Sequence, residues 1–279
     1  RTSINDYAPL ADGLEWTEEM ASLYPQKDEK ANTEYRSQYD ALYTEFVSGV
    51  FEHAEIEDKV KEVKTFANRY LMTDAVSEAT DKKPVDITHL LRNADLSANT
   101  TEHWTLTTNE TGYNGTNGYG CFEVFSHTFD LSQVLYGMPD GTYALKTQAF
   151  YRNGAKENCA STAVHAMVYI CDSTSAIRPI SRGANSSTFD GDWYAYATNK
   201  YVPNDLEAAA SAFNQNRYKP SNTVGCANIE YKVEQDGEFV LGMKKTKAVN
   251  NDWTVVNDFQ LLYYGGGTGS AIRDVRVNV

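Results

Sequence analysis

The residues best suited to meet a ligand are aromatic and planar polar side chains placed in irregular stretches. Trp193, Tyr194 and Tyr196 lie within residues 173–221, beside Asp190 and Asp192. Tyr113 and Tyr119 lie in the Gly/Asn-rich loop Tyr113-Asn114-Gly115-Thr116-Asn117-Gly118-Tyr119-Gly120. Arg152 and Asn153 end an alternating segment just before Gly154. An aromatic face packs against the apolar side of a sugar ring, and amides and guanidinium groups bond its hydroxyls. These types in loops therefore point to carbohydrate recognition, with Trp193, Tyr194, Tyr113, Tyr119, Arg152 and Asn153 as candidate ligand-binding residues. Each has a structural alternative: Trp193 can plug a sheet edge, Tyr113 and Tyr119 can pack their loop, and Arg152 can make a salt bridge or bond loop carbonyls.

The same search yields no signature of catalysis. The sequence contains no G-x-S-x-G elbow, no H-E-x-x-H, no G-x-x-x-x-G-K-[ST] and no Gly-rich dinucleotide turn. A glycosidase pair stays open, because its two carboxylates can lie far apart in a chain with 38 acidic residues. Asp190 and Asp192 are the pair to inspect, against the plainer reading of a solvated turn around Gly191. Cys121, Cys159, Cys171 and Cys226 form no CxxC pair, so zinc and redox motifs are absent. No cofactor and no metal ligand set is expected from the residues themselves. Four cysteines permit disulfides, and buried free thiols serve equally.

Net charge is −13. That disfavours nucleic acid, which is bound by neutralising phosphates with Lys and Arg, and disfavours anionic membrane surfaces. It suits a neutral partner such as a glycan. No apolar run approaches the roughly 20 residues of a membrane helix, so no membrane insertion is expected. The chain opens at Arg1 with no charged-then-apolar leader, as a processed or trimmed piece would.

Positioning elements follow from the periodicities. Residues 1–80 read as a helical hairpin. Trp16, Met20 and Leu23 recur at helical spacing before Pro25, Tyr35, Tyr39, Leu42, Phe46 and Val50 form one stripe starting near an Asn32 cap, and Val60, Val63, Phe66, Ala67 and Tyr70 form another. From residue 85 to 265 the period becomes two. Tyr143, Leu145, Thr147, Ala149 and Tyr151 alternate, and so do Trp253, Val255, Phe259, Leu261 and Tyr263. Residues 231–233 and 239–243 flank Gln235-Asp236-Gly237 as a hairpin would. Many short strands with turn signals predict an all-β jelly-roll sandwich. Alanine-rich residues 205–213 predict a short helix, and residues 266–279 a Gly-rich linker and tail.

Several motifs in order add a resemblance. Asn93-Ala94-Asp95-Leu96 with His103-Trp104, then Phe150-Tyr151-Arg152-Asn153-Gly154, then Asp252 through Gly265 resemble galactose-binding-like jelly rolls of secreted and surface proteins of Bacteroidetes. The resemblance implies a non-catalytic carbohydrate-binding module of an exported bacterial glycan-utilisation protein, periplasmic or at the cell surface, beside other domains or surface proteins. A structural or protein-interaction spacer with no sugar site is the alternative, and an uncharacterised glycoside hydrolase or lyase component the second. Many such modules hold a structural calcium between the opening strand and the closing Asp-Asn. Here that order is Asn257-Asp258 and Ser97 stands where an acid is expected, which argues against the ion, since calcium takes six to eight oxygens with carboxylates among them.

Overall fold

A computed structural model of the protein covers residues 4–49, 51–98, 100–108, 114–115, 118–215, 217–218, 228–233 and 238–266. Tyr113, Cys226 and the predicted tail from residue 267 lie outside these described residues. Helices come first: α1 (Ala8–Leu23), α2 (Glu29–Ser48), α3 (His53–Leu71) and the short α4 (Thr73–Glu78). The strands follow as β1 (Val85–Asp86), β2 (Thr105–Thr108), β3 (Asn114–Gly115), β4 (Phe122–Phe125), β5 (Phe129–Leu135), β6 (Gly141–Arg152), β7 (Ala166–Ile170), β8 (Ser173–Ala176), β9 (Arg178–Pro179), β10 (Trp193–Ala197) and β11 (Lys200–Pro203). After α5 (Leu206–Asn214) come β12 (Asn228–Val233), β13 (Phe239–Lys245) and β14 (Trp253–Tyr263).

Local chemistry sets the helix ends. α2 is capped by Asp28, whose Oδ1 accepts from Lys30 N at 2.9 Å, four residues earlier than the Asn32 cap the sequence suggests. Asn32 is drawn elsewhere: its Nδ2 donates to Gln26 O and its Oδ1 accepts from Tyr70. α3 opens on a capping box of Glu52 and Glu55. Tyr35 stacks on Phe66 and Tyr70, with ring centroids 5.2 and 4.3 Å apart, which fastens α2 to α3. Leu23, counted in the first stripe, is 62% exposed at the last position of α1.

The strands form a β-sandwich. One sheet runs β12-β6-β14-β4-β3, with β1 added on β14 and β9 on β6, and the other runs β2-β5-β13-β7-β8. The pairings are antiparallel except β6 with β9. Phe122 meets Phe129 and Tyr143 meets Phe239 across the gap, at 5.9 and 4.8 Å between centroids. This core runs on into the helices, joining Leu131 and Leu241 to Leu10, Leu14, Val63 and Leu71. A second buried cluster lies on the outer face of the larger sheet, where Phe150, Trp253 and Val255 meet Val202, Phe213 and Tyr218.

Two sequence expectations are corrected. Trp253 through Tyr263 do not share one face. The register between β14 and β6 shifts between Asn257 and Phe259, and Asp258 there has φ +52°. That bulge adds one residue and reverses the alternation. Trp253 and Val255 therefore enter the outer cluster, while Phe259, Leu261 and Tyr263 fill the sandwich core. Nor do β12 and β13 make a hairpin. β12 pairs with β6 in one sheet and β13 with β5 and β7 in the other; the expected Gln235-Asp236-Gly237 turn lies outside the described residues.

At one corner the strand ends are pinned by ions. Lys245 Nζ donates to Asp252 Oδ1 at 2.5 Å, and both side chains are fully buried. Asp252 Oδ2 accepts from the Tyr151 hydroxyl at 2.9 Å and from Val249 N at 2.8 Å.

Candidate functional site

Trp193, Tyr194 and Tyr196 share the β10–β11 hairpin, which rests on the outer cluster, whereas Tyr119 lies before β4. Alternation sends Trp193 and Tyr194 to opposite faces. Trp193 is half-buried; its ring meets Phe189 edge-on at 6.0 Å, and its Nε1 donates to Asp190 O at 3.0 Å. Phe189 is 40% exposed, so the pair offers apolar ring surface to solvent. On the other face, Lys156 Nζ lies 5.5 Å from the centroid of half-buried Tyr194. Tyr196 sits at the register shift between Ala195 and Ala197, where burial pushes its hydroxyl pKa up, with Cys159 nearby.

A polar frame holds this hairpin. Asp205 caps α5, its Oδ1 accepting from Ala208 N at 2.8 Å, and its Oδ2 accepts from Asp192 N at 3.0 Å. Asn204 Nδ2 donates to Asp192 Oδ2 at 2.6 Å. Gly191, at φ +88°, passes so close to α5 that a Cβ there would lie 2.2 Å from Ala208 N. Asp192 is thus tied into the frame, and the Asp190-Gly191-Asp192 segment is a turn seated on a helix N-terminus.

Arg152 is 6% exposed. Its Nε donates to Gly154 O at 3.1 Å, an Nη to Asn204 Oδ1 at 3.2 Å, and its Cζ sits 5.2 Å from the centroid of one Trp253 ring. Burial lowers its pKa from the ordinary arginine value. The guanidinium is directed at a loop carbonyl and an indole inside the fold, which is the structural alternative, and not at open solvent. Asn153 is half-buried; it donates to Ser161 Oγ at 3.2 Å and accepts from Tyr151 at 3.4 Å. Tyr119 is 45% exposed, with its carbonyl bonded by the Cys121 thiol at 3.6 Å. That thiol is buried in the outer cluster and its pKa is pushed up to about 12 by desolvation, so it is inert. Cys121, Cys159 and Cys171 are free.

The structure therefore gathers Trp193, Tyr194 and the inner Arg152 around one hairpin. Sequence reading missed Phe189, Lys156, Asn204 and Asp205. Phe189, four residues before Trp193 across a glycine turn, was the legible one.

The calcium implied by the resemblance does not fit the residues present. Asp95 Oδ1 accepts from Ser97 N and Asp258 Oδ2 from Gln260. Asn93 Oδ1 and Asn257 Oδ1 are buried without a hydrogen-bond partner, but among the described residues no cluster of carboxylates joins them to build the six-to-eight-oxygen shell calcium takes. Among the described residues no group of three or more His, Cys, Asp or Glu is placed to hold a metal ion. No helix among them is long and apolar enough to cross a membrane.

No family model matches this chain, and no curated protein does. Among solved structures it is similar to TmCBM61, a carbohydrate-binding module, in complex with β-1,4-galactotriose. The identity is 13%, over 61% of this chain and 95% of that one, with a TM-score of 0.33, so the two folds overlay only loosely.

Proposed function

We propose that the protein is a non-catalytic carbohydrate-binding module of galactose-binding-like jelly-roll type, part of an exported bacterial protein that captures glycans in the periplasm or at the cell surface. The observation that carries this reading is the half-exposed Phe189–Trp193 pair on a hairpin braced from below. Ring surface held rigidly at a protein's edge is what a pyranose face needs, and bracing lowers the entropy lost on binding. Tyr194 with Lys156 on the hairpin's other face, and Tyr119, extend the candidate surface.

Retention on a glycan array or on affinity gels tests it. Trp193→Ala and Phe189→Ala are each expected to weaken retention about tenfold, equivalent to about 1.4 kcal/mol, with an unchanged circular dichroism spectrum. Retention indifferent to both substitutions sinks the platform.

A spacer reading is favoured by one observation: Phe150, Phe213, Tyr218 and Trp253 press the insertion down over the sheet. Failure to bind any glycan would move the assignment to that reading. Turnover on a broad glycan panel would move it to a hydrolase or lyase component.

A further inference from the structure

We propose that the junction between the helices and the sandwich is a second binding site, for a small hydroxylated carboxylate such as a uronic acid. A cavity of about 310 Å³ opens there, with walls from α1, α3, the segment before β2, and β5. That volume is at the lower end of the range small-molecule sites occupy. It is a separate place from the hairpin platform and uses none of its residues.

Its charge is opposite to that of the whole protein. Lys64 and Arg92 line the cavity against the single carboxylate of Asp12, while the full sequence carries −13. Arg92 is fixed: its guanidinium grips Asp12 with two donors, one at 2.9 Å. Its backbone is clasped on both sides by Gln133, N to Oε1 at 3.2 Å and O to Nε2 at 2.6 Å. Lys64 makes no ion pair or hydrogen bond with a described residue, although burial and the neighbouring Arg92 both push its pKa down. Asp12 draws on Lys64 only at a distance, because Arg92 already grips that carboxylate, so the half-desolvated ammonium keeps positive charge to spare for an incoming anion.

The hydroxyl requirement comes from Asn68. That side chain is 2% exposed; its Nδ2 donates to Tyr136 O at 2.8 Å, and its Oδ1 has no hydrogen-bond partner. Buried acceptors are usually satisfied; this one lies against the cavity wall, where a ligand hydroxyl would reach it after a small shift of the side chains that cover it. Trp16, half-buried on α1, gives the cavity an aromatic wall. His103 adds a ring held at φ +68°, a conformation that a non-glycine residue keeps only when its surroundings enforce it. Anion, hydroxyl and ring surface together describe a sugar acid better than a simple carboxylate.

Isothermal titration of the 279-residue chain tests this with four probes: D-galacturonate, the acyclic acid D-gluconate, neutral D-galactose and acetate. Galacturonate or gluconate is expected to bind at least about tenfold more tightly than galactose and acetate; which of the two acids wins tells a cyclic from an acyclic source. Lys64→Gln is expected to erase that preference, and Trp193→Ala to leave it intact. In the Trp193→Ala protein, where the hairpin platform is removed, galactose or acetate binding as well as the acids would overturn the proposal, as would no binding of either acid at millimolar concentration, or acid binding untouched by Lys64→Gln. The comparison among probes keeps Lys64, so it stands whatever Lys64→Gln does to folding. Failure here with glycan retention intact, or the reverse, separates this site from the hairpin platform.

Discussion

Two desolvated lysines sit in opposite circumstances. At the β13–β14 corner, Lys245 is 1% exposed and bonded to Asp252, which also accepts from Tyr151 and Val249 N. At the helix–sandwich junction, Lys64 is half-buried with no such partner, beside an Asn68 oxygen equally unmet. Burial draws the pKa of both down. The corner answers it with a closed set of hydrogen bonds, and the junction does not. A saturated polar cluster serves the fold, since removing any member leaves a charge stranded. An unsaturated one costs stability and keeps that cost only where something else draws on it.

The comparison breaks most visibly at the corner. Asp252→Ala strands Lys245 inside the protein and should cost about 3–5 kcal/mol. The melting temperature should fall by roughly 10 °C. Replacing both partners, Asp252→Leu with Lys245→Met, should be milder than the single change, which a thermal melt of the two variants decides. If the double variant is the worse, the pair is not an isolated ionic unit. A smaller effect is expected at the seat of α3. Gly137 has φ +68°, and a Cβ there would lie 2.6 Å from Thr65 O. Gly137→Ala should cost at least about 1–2 kcal/mol from the left-handed backbone alone, with faster amide hydrogen exchange around Asn68 and Tyr136. Unchanged exchange there would mean that the helices are held by other contacts.

The sequence made some of this legible and hid the rest for physical reasons. Apolar stripes give α2 and α3 and alanine richness gives α5, while alternation gives β6 as a strand even though both of its faces are largely buried. The face reversal in β14 is invisible to alternation, since a one-residue bulge at Asp258 leaves the apolar spacing of Trp253 to Tyr263 undisturbed. The β12–β13 connection reads as a hairpin because turn chemistry is the same whether the backbone returns to its own sheet or crosses to the other. Arg152 looks like a donor at a strand end, and only packing shows Trp253 and Asn204 receiving it. Phe189 was within reach, an aromatic beside a glycine turn. The junction cavity was not, because residues 12–16, 64–68, 92 and 103 meet through the docking of helices onto a sheet and share no spacing.

The smallest effect has the opposite sign and is the sharpest test of the contrast. Lys64→Met removes a cation that makes no hydrogen bond or ion pair with a described residue, its neighbouring carboxylate Asp12 being gripped by Arg92, and it keeps an unbranched side chain of similar length. Stability at neutral pH should hold or rise, by at most about 1 kcal/mol because solvent screens a half-exposed group. Its pH dependence follows from the lowered pKa. In the window between the folded-state value and the unfolded value near 10.5, the unfolded protein binds a proton that the native protein has released, so native stability rises with pH. The unaltered protein should therefore gain on Lys64→Met as pH climbs through that window, closing a gap that is full at neutrality. Urea melts of both proteins at about pH 7 and about pH 10 measure it. A Lys64→Met protein distinctly less stable at neutral pH would show that Lys64 belongs with Lys245, as part of the architecture, and would remove the reason for expecting an anion at the junction.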